Sequence, residues 1–302
     1  MLTDNGYAYA KACGIIGKSF LGVRTSLLSA LHTLNDMEKL VFPDNQKESE
    51  GGNLLAGLEK QITDRAARFL LSVIGSYSNP PEILACMLKS AEYKSPLSDD
   101  PIKQGKNLSE REARLDYQYY KNLIESLGLL SGDDRKITQK LLCEEISLRN
   151  CIWALRLRFY YEKNETDTAA YLMDFQIPGS GSQKKLSSDA SASLNFHLDV
   201  RRQWDGWKRE KFLNMEDSSH EAKHWSVDPR YFQNAVSRYL YHLALRGFHS
   251  EPVTISAIYC FVKLIQFEED LLSSVAQGLA LGIDGEGVLK MLGVSQSGRE
   301  AS

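Results

Sequence analysis

Apolar residues recur every three or four positions along most of the chain, which is the spacing of one face of an α-helix. One such stripe consists of Ile258, Phe261, Ile265, Leu272, Val275 and Leu279. Another consists of Ile62, Ala66, Phe69, Val73 and Tyr77. No run alternates between apolar and polar residues as a half-buried strand does. The pattern predicts an all-α fold whose core is formed by these stripes.

Three polar stretches interrupt the helical pattern and predict loops. Pro43 to Asn53 ends in two glycines, and Lys94 to Asn107 carries two prolines and a Ser-Asp-Asp cluster. Pro178 to Ser193 is rich in glycine and serine and has the composition of a linker.

Between these loops one arrangement recurs three times: a long helix, a short break, and a short helix that closes on a large apolar residue. The copies are 59–77 with 82–88, 145–161 with 169–173, and 264–281 with 286–292. The closing residue follows an anchoring isoleucine (Ile62, Ile146 or Ile265) by 26, 27 and 27 residues. Units that cannot bury their apolar faces alone pack against one another. We therefore predict three helical repeats, 1–100, 101–190 and 191–302.

The similarity between the second and third copies extends backwards at a constant offset of 119 residues. It pairs Tyr120 with Tyr239 and Gly128 with Gly247. Glycine is the residue that most often ends a helix in the left-handed conformation. We therefore predict that a helix ends at each of these two glycines.

Charge and composition narrow the class of protein. The 302 residues carry a formal net charge of −3, whereas nucleic-acid-binding domains usually show a basic excess. No apolar run approaches the length of a membrane span, and the polar residues Met1–Gly6 do not resemble a secretory signal. The five cysteines include no Cys-x-x-Cys pair and lie in largely apolar segments. They predict reduced, buried thiols in a soluble, cytoplasmic protein.

The segment from Ala12 to Ser19 matches a relaxed P-loop pattern in which alanine replaces the first glycine and Lys18 is the lysine. A P-loop needs a buried strand before it, so that the turn presents its amides to phosphate at the start of a helix. Gly6 to Lys11 does not have the sequence of such a strand. We interpret Tyr7 to Leu28 as one amphipathic helix, and a nucleotide hydrolase is a minor alternative.

His220-Glu-Ala-Lys-His224 matches the His-Glu-x-x-His signature of zinc proteases. Its flanks are polar, Lys223 places a cation between the two histidines, and Pro229 soon ends the helix. We interpret the segment as a solvated turn of helix. Adventitious metal binding stays open, and a zinc hydrolase is a second minor alternative.

The stretch from Arg201 to Arg209 mixes basic residues with Trp204 and Trp207. Asp205 and Glu210 dilute its positive charge, so we interpret it as an amphipathic helix that faces protein instead of nucleic acid. No nucleophile–histidine pair or carboxylate pair stands out with supporting context. The residues themselves therefore predict no catalytic, cofactor or metal site.

Three segments together resemble the C-subunit family of V-type ATPases, which is also called the d-subunit family. They are the tyrosine–alanine run 7–12, the acidic Arg-Asn helix 144–156, and the last repeat, 258–286. The last repeat departs from the family pattern, because Glu268-Glu269 stands where an Arg-Asn pair is usual and Leu264 where an acid is common.

The resemblance implies a funnel of three similar helical bundles around a pseudo-threefold axis. It also implies a non-catalytic connector, peripheral to the cytoplasmic face of the membrane, with no cofactor, small-molecule substrate or nucleic acid. Its partners would be the membrane proteolipid ring and the D and F subunits of the central stalk. The connector would couple rotation of the two, in ATP-driven proton or sodium transport or in ATP synthesis. A helical-repeat scaffold of another complex is the leading alternative.

Three charged residues occupy equivalent positions in the copies. Arg65, Arg149 and Glu268 each lie three residues after the anchoring isoleucine. If the stripes face inwards, these side chains approach a central cavity and would contact the stalk. The alternative, that each pairs locally or reaches solvent, is favoured, because most charges on striped helices do so.

Overall fold

The fold is almost entirely helical, as a computed structural model shows. The described residues are 4–43, 54–93, 108–176, 185–213 and 225–294. These ranges contain no β-strand, only an isolated antiparallel bridge between Gln176 and Lys185. The predicted all-α class is confirmed. Outside the described residues lie His220, His224 and the ranges 44–53, 94–107 and 178–184 of the three predicted loops. The described part of the third predicted loop is not all loop, because Ser188–Ser193 forms a helix.

Helices connected by turns account for most of this part of the chain. In chain order they are α1 (Asp4–Ile16), α2 (Ser26–Ser29), α3 (Leu34–Val41), α4 (Leu54–Thr63), α5 (Arg65–Ile74), α6 (Glu82–Tyr93), α7 (Leu108–Leu127), α8 (Gly132–Tyr161), α9 (Glu165–Ala169), α10 (Ser188–Ser193), α11 (Pro229–Ser250), α12 (Ile255–Ala280) and α13 (Gly285–Met291). Short 3-10 turns cover Gly22–Thr25, Arg201–Gln203 and Glu210–Phe212.

The helices form two compact units. The first, unit 1, combines residues 1–79 with residues 252–302 and is built around α12. Helix α12 packs against α1, α3, α4, α5 and α13. Its predicted apolar stripe is buried, and an edge-to-face contact of 4.5 Å between ring centroids joins Phe261 to Phe69 of α5. Apolar residues surround much of this helix because it has neighbours on several sides.

The second, unit 2, comprises residues 80–251 and is built around α8. Helix α8 packs against α7, α9, α10 and α11, and α6 packs against α7. Beside it lies an aromatic cluster of Phe196, Trp204, Trp207, Phe212 and Phe232, whose neighbouring ring centroids lie 5.2–5.9 Å apart. The division into three repeats is not tested by these two units and stays a prediction.

Several predicted helix boundaries are wrong. The single helix expected over Tyr7–Leu28 ends at Ile16. Beyond it the Ser19 hydroxyl accepts a hydrogen bond from the Leu21 amide, and Gly22 adopts a positive φ of 78°. Both features favour a turn over a helix.

The two predicted terminal glycines behave differently. Helix α7 ends at Leu127, directly before Gly128, but Gly128 does not adopt a positive φ. Helix α11 continues through Gly247 to Ser250. Glycine has a low helix propensity, but tertiary packing outweighs it there, since the neighbouring residues Leu243, Ala244 and Phe248 are buried.

The basic–aromatic stretch faces protein as expected but is not a regular helix. It forms turns and short 3-10 segments around the buried Trp204 and Trp207.

Among the cysteines, Cys86, Cys151 and Cys260 are buried as predicted, whereas Cys143 is half-buried and Cys13 is exposed. None of the described helices combines the length and apolar character that crossing a bilayer requires.

Candidate partner-contact site

Two of the three predicted contact residues meet inside unit 1. Arg65 Nη2 lies 3.3 Å from Glu268 Oε2. Glu268 is only 1% exposed, and the Arg65 side chain is 22% exposed. Arg65 belongs to the first copy and Glu268 to the third, so residues at equivalent positions of two copies pair with each other within one unit. This pairing is the local alternative that the sequence left open.

The acidic pair Glu268-Glu269 anchors two backbone segments onto α12. Glu268 Oε1 accepts a hydrogen bond of 2.7 Å from the amide of Phe20, and Glu269 Oε1 accepts one of 2.8 Å from the amide of Ala66. Ala66 lies in the first turn of α5, where backbone amides lack helical partners. A carboxylate at a helix N-terminus is also stabilised by the helix dipole. Glu269 therefore caps α5 from a neighbouring helix.

The break between α4 and α5 creates the amide that Glu269 caps. The sequence predicts one continuous helix from Glu59 to Tyr77, but the helix is interrupted at Asp64. Arg68 compensates the break by donating from Nη2 to the Gln61 carbonyl at 2.8 Å and from Nε to the Asp64 carbonyl at 3.2 Å. Side chains thus satisfy the Ala66 amide and the Gln61 carbonyl at the break.

Glu268→Gln is expected to lower the free energy of unfolding by about 1–2 kcal/mol. The amide oxygen keeps an acceptor for the Phe20 amide, but the charge-assisted contact with Arg65 is lost. Chemical denaturation measures the change. An exposed variant, Lys60→Gln, provides the control, and equal stability of the two variants would show that the Arg65–Glu268 pair contributes nothing.

The third predicted contact residue, Arg149, lies on α8 of unit 2. Its Nη1 donates to Asp116 Oδ2 of α7 at 2.8 Å, and its guanidinium lies 5.4 Å from the ring centroid of Tyr120. Burial raises the pKa of Tyr120 well above its ordinary value, and the Tyr120 hydroxyl donates to Glu145 Oε1 at 2.7 Å. The Arg149 side chain nevertheless stays 41% exposed. It is oriented by local contacts and still offers surface to a partner.

The neighbouring Asn150 has a structural role that sequence reasoning missed. Its side-chain amide donates to the Met173 carbonyl at 2.9 Å, and its oxygen accepts from the Met173 amide at 2.8 Å. A buried asparagine thereby fixes the segment that follows α9. Within the Arg-Asn pair of α8, the asparagine faces the core and the arginine faces outwards.

A second charged cluster, centred on Arg209, also escaped sequence reasoning. Arg209 is 4% exposed and donates from Nε to Asp189 Oδ2 at 2.8 Å and from Nη1 to Glu144 Oε2 at 2.7 Å. A third donor, Nη2, reaches the Ser147 hydroxyl at 3.1 Å. The cluster joins the turns after Trp207 to α8 and α10.

The charges of this cluster determine the protonation state of Asp189. Burial acts to raise the pKa of Asp189, but Arg209 and Lys208 outweigh it and hold the pKa below its ordinary value. Lys208 Nζ lies 3.2 Å from the same carboxylate oxygen. The carboxylate is therefore ionised at neutral pH and pairs with two cations. The nearest sequence signal is the pair Trp204 and Trp207, which are buried beside Arg209.

The described structure gives no support to the P-loop match, and the His-Glu-x-x-His match at His220 and His224 lies outside the described residues. Helix α1 occupies the position where a P-loop requires a strand, and Lys18 lies in the turn that follows. Within the described ranges, no group of three or more His, Cys, Asp or Glu side chains is arranged to hold a metal ion.

Comparison with known families identifies the group of proteins to which these helices belong. A family model described as the ATP synthase (C/AC39) subunit matches residues 72–291. The chain belongs to this family. The match to the C/AC39 family includes Arg149 and Glu268, whereas Arg65 lies outside it. The resemblance to the C-subunit family of V-type ATPases is thereby confirmed.

A similar protein occurs in Treponema pallidum (strain Nichols). It is 24% identical over an alignment 323 positions long, which covers 91% of this chain and 92% of that protein. It is described only as an uncharacterized protein. The similarity therefore extends along nearly the whole C/AC39-family chain, including the part before residue 72. It does not indicate what activity the chain has.

Proposed function

We propose that this protein is the non-catalytic connector of a V-type rotary ATPase. In this role it joins the membrane proteolipid ring to the D and F subunits of the central stalk and transmits rotation between them, as a peripheral protein on the cytoplasmic side. The observation that carries the proposal is the family match over residues 72–291. The funnel of three bundles implied by the family resemblance belongs to the same proposal.

The packing within each unit supports a mechanical role. A part that transmits torque must deform little under load, and close-packed helical cores have low compressibility. Helices α8 and α12 are 30 and 26 residues long, and each contacts several neighbouring helices. Buried ion pairs centred on Arg209 and Glu268 add directional contacts between elements.

The proposal is tested by reconstitution. The full-length chain is mixed with purified D–F stalk and, separately, with the detergent-solubilised proteolipid ring, and complexes are measured by size-exclusion chromatography with light scattering. We expect stoichiometric complexes with both. The isolated catalytic head of the same ATPase serves as a control that should not bind. A chain that binds neither stalk nor ring, while stalk and head still assemble, would refute the connector role.

A further inference from the structure

One face of α8 carries an uncovered row of arginine and aromatic side chains. We call this row the α8 stripe and define it as Arg149, Ile152, Arg156, Phe159 and Tyr160. Steps of three and four residues place these side chains on one side of the helix. Phe159 is 41% exposed, Tyr160 is 46% exposed, and Arg156 is also exposed, while Ile152 is half-buried.

The opposite sides of the same helix segment are buried. Ala154, Leu155 and Leu157 are at most 4% exposed, and the adjacent Arg158 donates hydrogen bonds to the carbonyls of Ser193 and Phe196. Single exposed apolar residues are ordinary. Here two exposed aromatic residues, Phe159 and Tyr160, are adjacent on the helix face that also carries two arginines. Arginine and aromatic residues dominate the binding energy of protein interfaces.

Three residues of the α8 stripe have ordering contacts before any partner binds. Asp116 and the Tyr120 ring orient Arg149, and an edge-to-face contact of 5.1 Å between ring centroids orders Phe159 and Tyr160. Surfaces fixed in this way lose little conformational entropy on binding. The exposed side chain of Arg156 keeps its conformational freedom until a partner binds.

The charge of the α8 stripe indicates what it binds. Arg156 makes no ion pair with any side chain that the structure describes, whereas Arg149 shares its charge with Asp116. The two arginines are seven residues apart, which is about 10.5 Å along a helix. An aligned partner helix with two carboxylates one heptad apart matches this spacing, and bidentate pairing with carboxylate is the strongest contact that arginine makes.

We infer that the α8 stripe docks an acidic amphipathic helix of a partner protein. Two carboxylates of that helix pair with Arg149 and Arg156, and its apolar side chains cover Ile152, Phe159 and Tyr160. This inference rests on the proposed function, which makes the partner a helix of the central stalk. It assigns the stalk contact to one face of one helix.

The double variant Arg156→Glu/Tyr160→Ala tests the inference. Both side chains are exposed, so the variant should unfold at the temperature of the wild type. We expect its Kd for the D–F stalk, measured by titration calorimetry, to rise about tenfold or more, since it loses an aromatic anchor and opposes a carboxylate with a like charge. The matched control is Arg230→Glu/Tyr231→Ala, which changes exposed residues of the same types on α11. Its Kd should stay within about twofold of the wild type.

The possible failures are distinguishable. Unchanged affinity of Arg156→Glu/Tyr160→Ala, with normal stalk binding by the wild type, overturns the α8 stripe and leaves the connector role intact. If the wild type binds no stalk, the connector role fails. The stripe is then tested with a designed helical peptide whose glutamates are seven residues apart, and absence of binding to it overturns the inference. A last outcome concerns lipid. If the wild type binds phosphatidylglycerol-rich vesicles and the double variant does not, the α8 stripe binds a lipid surface and the inference of a protein partner is overturned.

Discussion

Arg209→Met is expected to lower the free energy of unfolding by about 3–5 kcal/mol, the cost typical of removing one member of a buried charge cluster. Methionine can replace much of the side-chain volume but none of the charge. The buried Asp189 and the half-buried Glu144 would then lose the cation that pairs with both. Chemical denaturation, followed by circular dichroism, measures the change.

The matched control for this prediction is Lys208→Met. Lys208 contacts the same Asp189 carboxylate at 3.2 Å, but its side chain is 53% exposed. Exposed ion pairs contribute only about 0–1 kcal/mol, so this variant should be nearly as stable as the wild type. Similar losses in both variants would mean that the burial of Arg209 does not determine its contribution.

Gly285→Ala is expected to cost about 3 kcal/mol of stability, at the upper end for overpacking. A Cβ at this position would lie 1.9 Å from the Leu28 carbonyl oxygen and 3.3 Å from the Leu31 carbonyl oxygen. Both obstacles are backbone atoms, which cannot move aside as a side-chain tip can. The Gly285 amide also donates to the Leu31 carbonyl at 2.8 Å, so a shift of α13 would lengthen this bond. A thermal melt of the variant measures the loss.

Gly57→Ala provides a control of opposite sign in the same unit. Gly57 lies within α4, is exposed, and has no atom within 4 Å of a Cβ built on it. Alanine is favoured over glycine by about 1 kcal/mol inside a helix, so this variant should be more stable than the wild type. If Gly285→Ala were also neutral or stabilising, the contact between α13 and the turn at Leu28 would not be as close as the structure indicates.

The helical class and much of the packing could be predicted from the sequence, because apolar spacing records which side of a helix is buried. The residues from Ile258 to Leu279 illustrate this, since their stripe is buried along α12. The final break and short helix were also predicted correctly: α12 ends at Ala280 and α13 begins at Gly285. Such local features depend on residues that are close together in sequence.

Features that depend on distant contacts could not be predicted. The break at Asp64 is stabilised by Glu269, whose partner Ala66 lies 203 residues earlier in the chain. The sequence predicts that the stretch ending at Arg209 faces protein, but it does not reveal that Arg209 pairs with Asp189 and Glu144. The candidate contact residues illustrate the same limit. Spacing placed Arg65 and Glu268 at equivalent positions, but it could not reveal that they pair with each other.

The composition of unit 1 from both ends of the chain has a consequence for synthesis. Phe20 and Ala66 receive their hydrogen-bond acceptors from α12, which leaves the ribosome only after all of unit 2 has emerged. Unit 2 is a continuous segment and can fold while translation proceeds, since domains generally fold as units in order of emergence. The faces of α1, α3, α4 and α5 that pack on α12 stay uncovered until α12 emerges. The first helices of the chain are thus among the last to reach their native environment, and chaperone protection is most valuable for them.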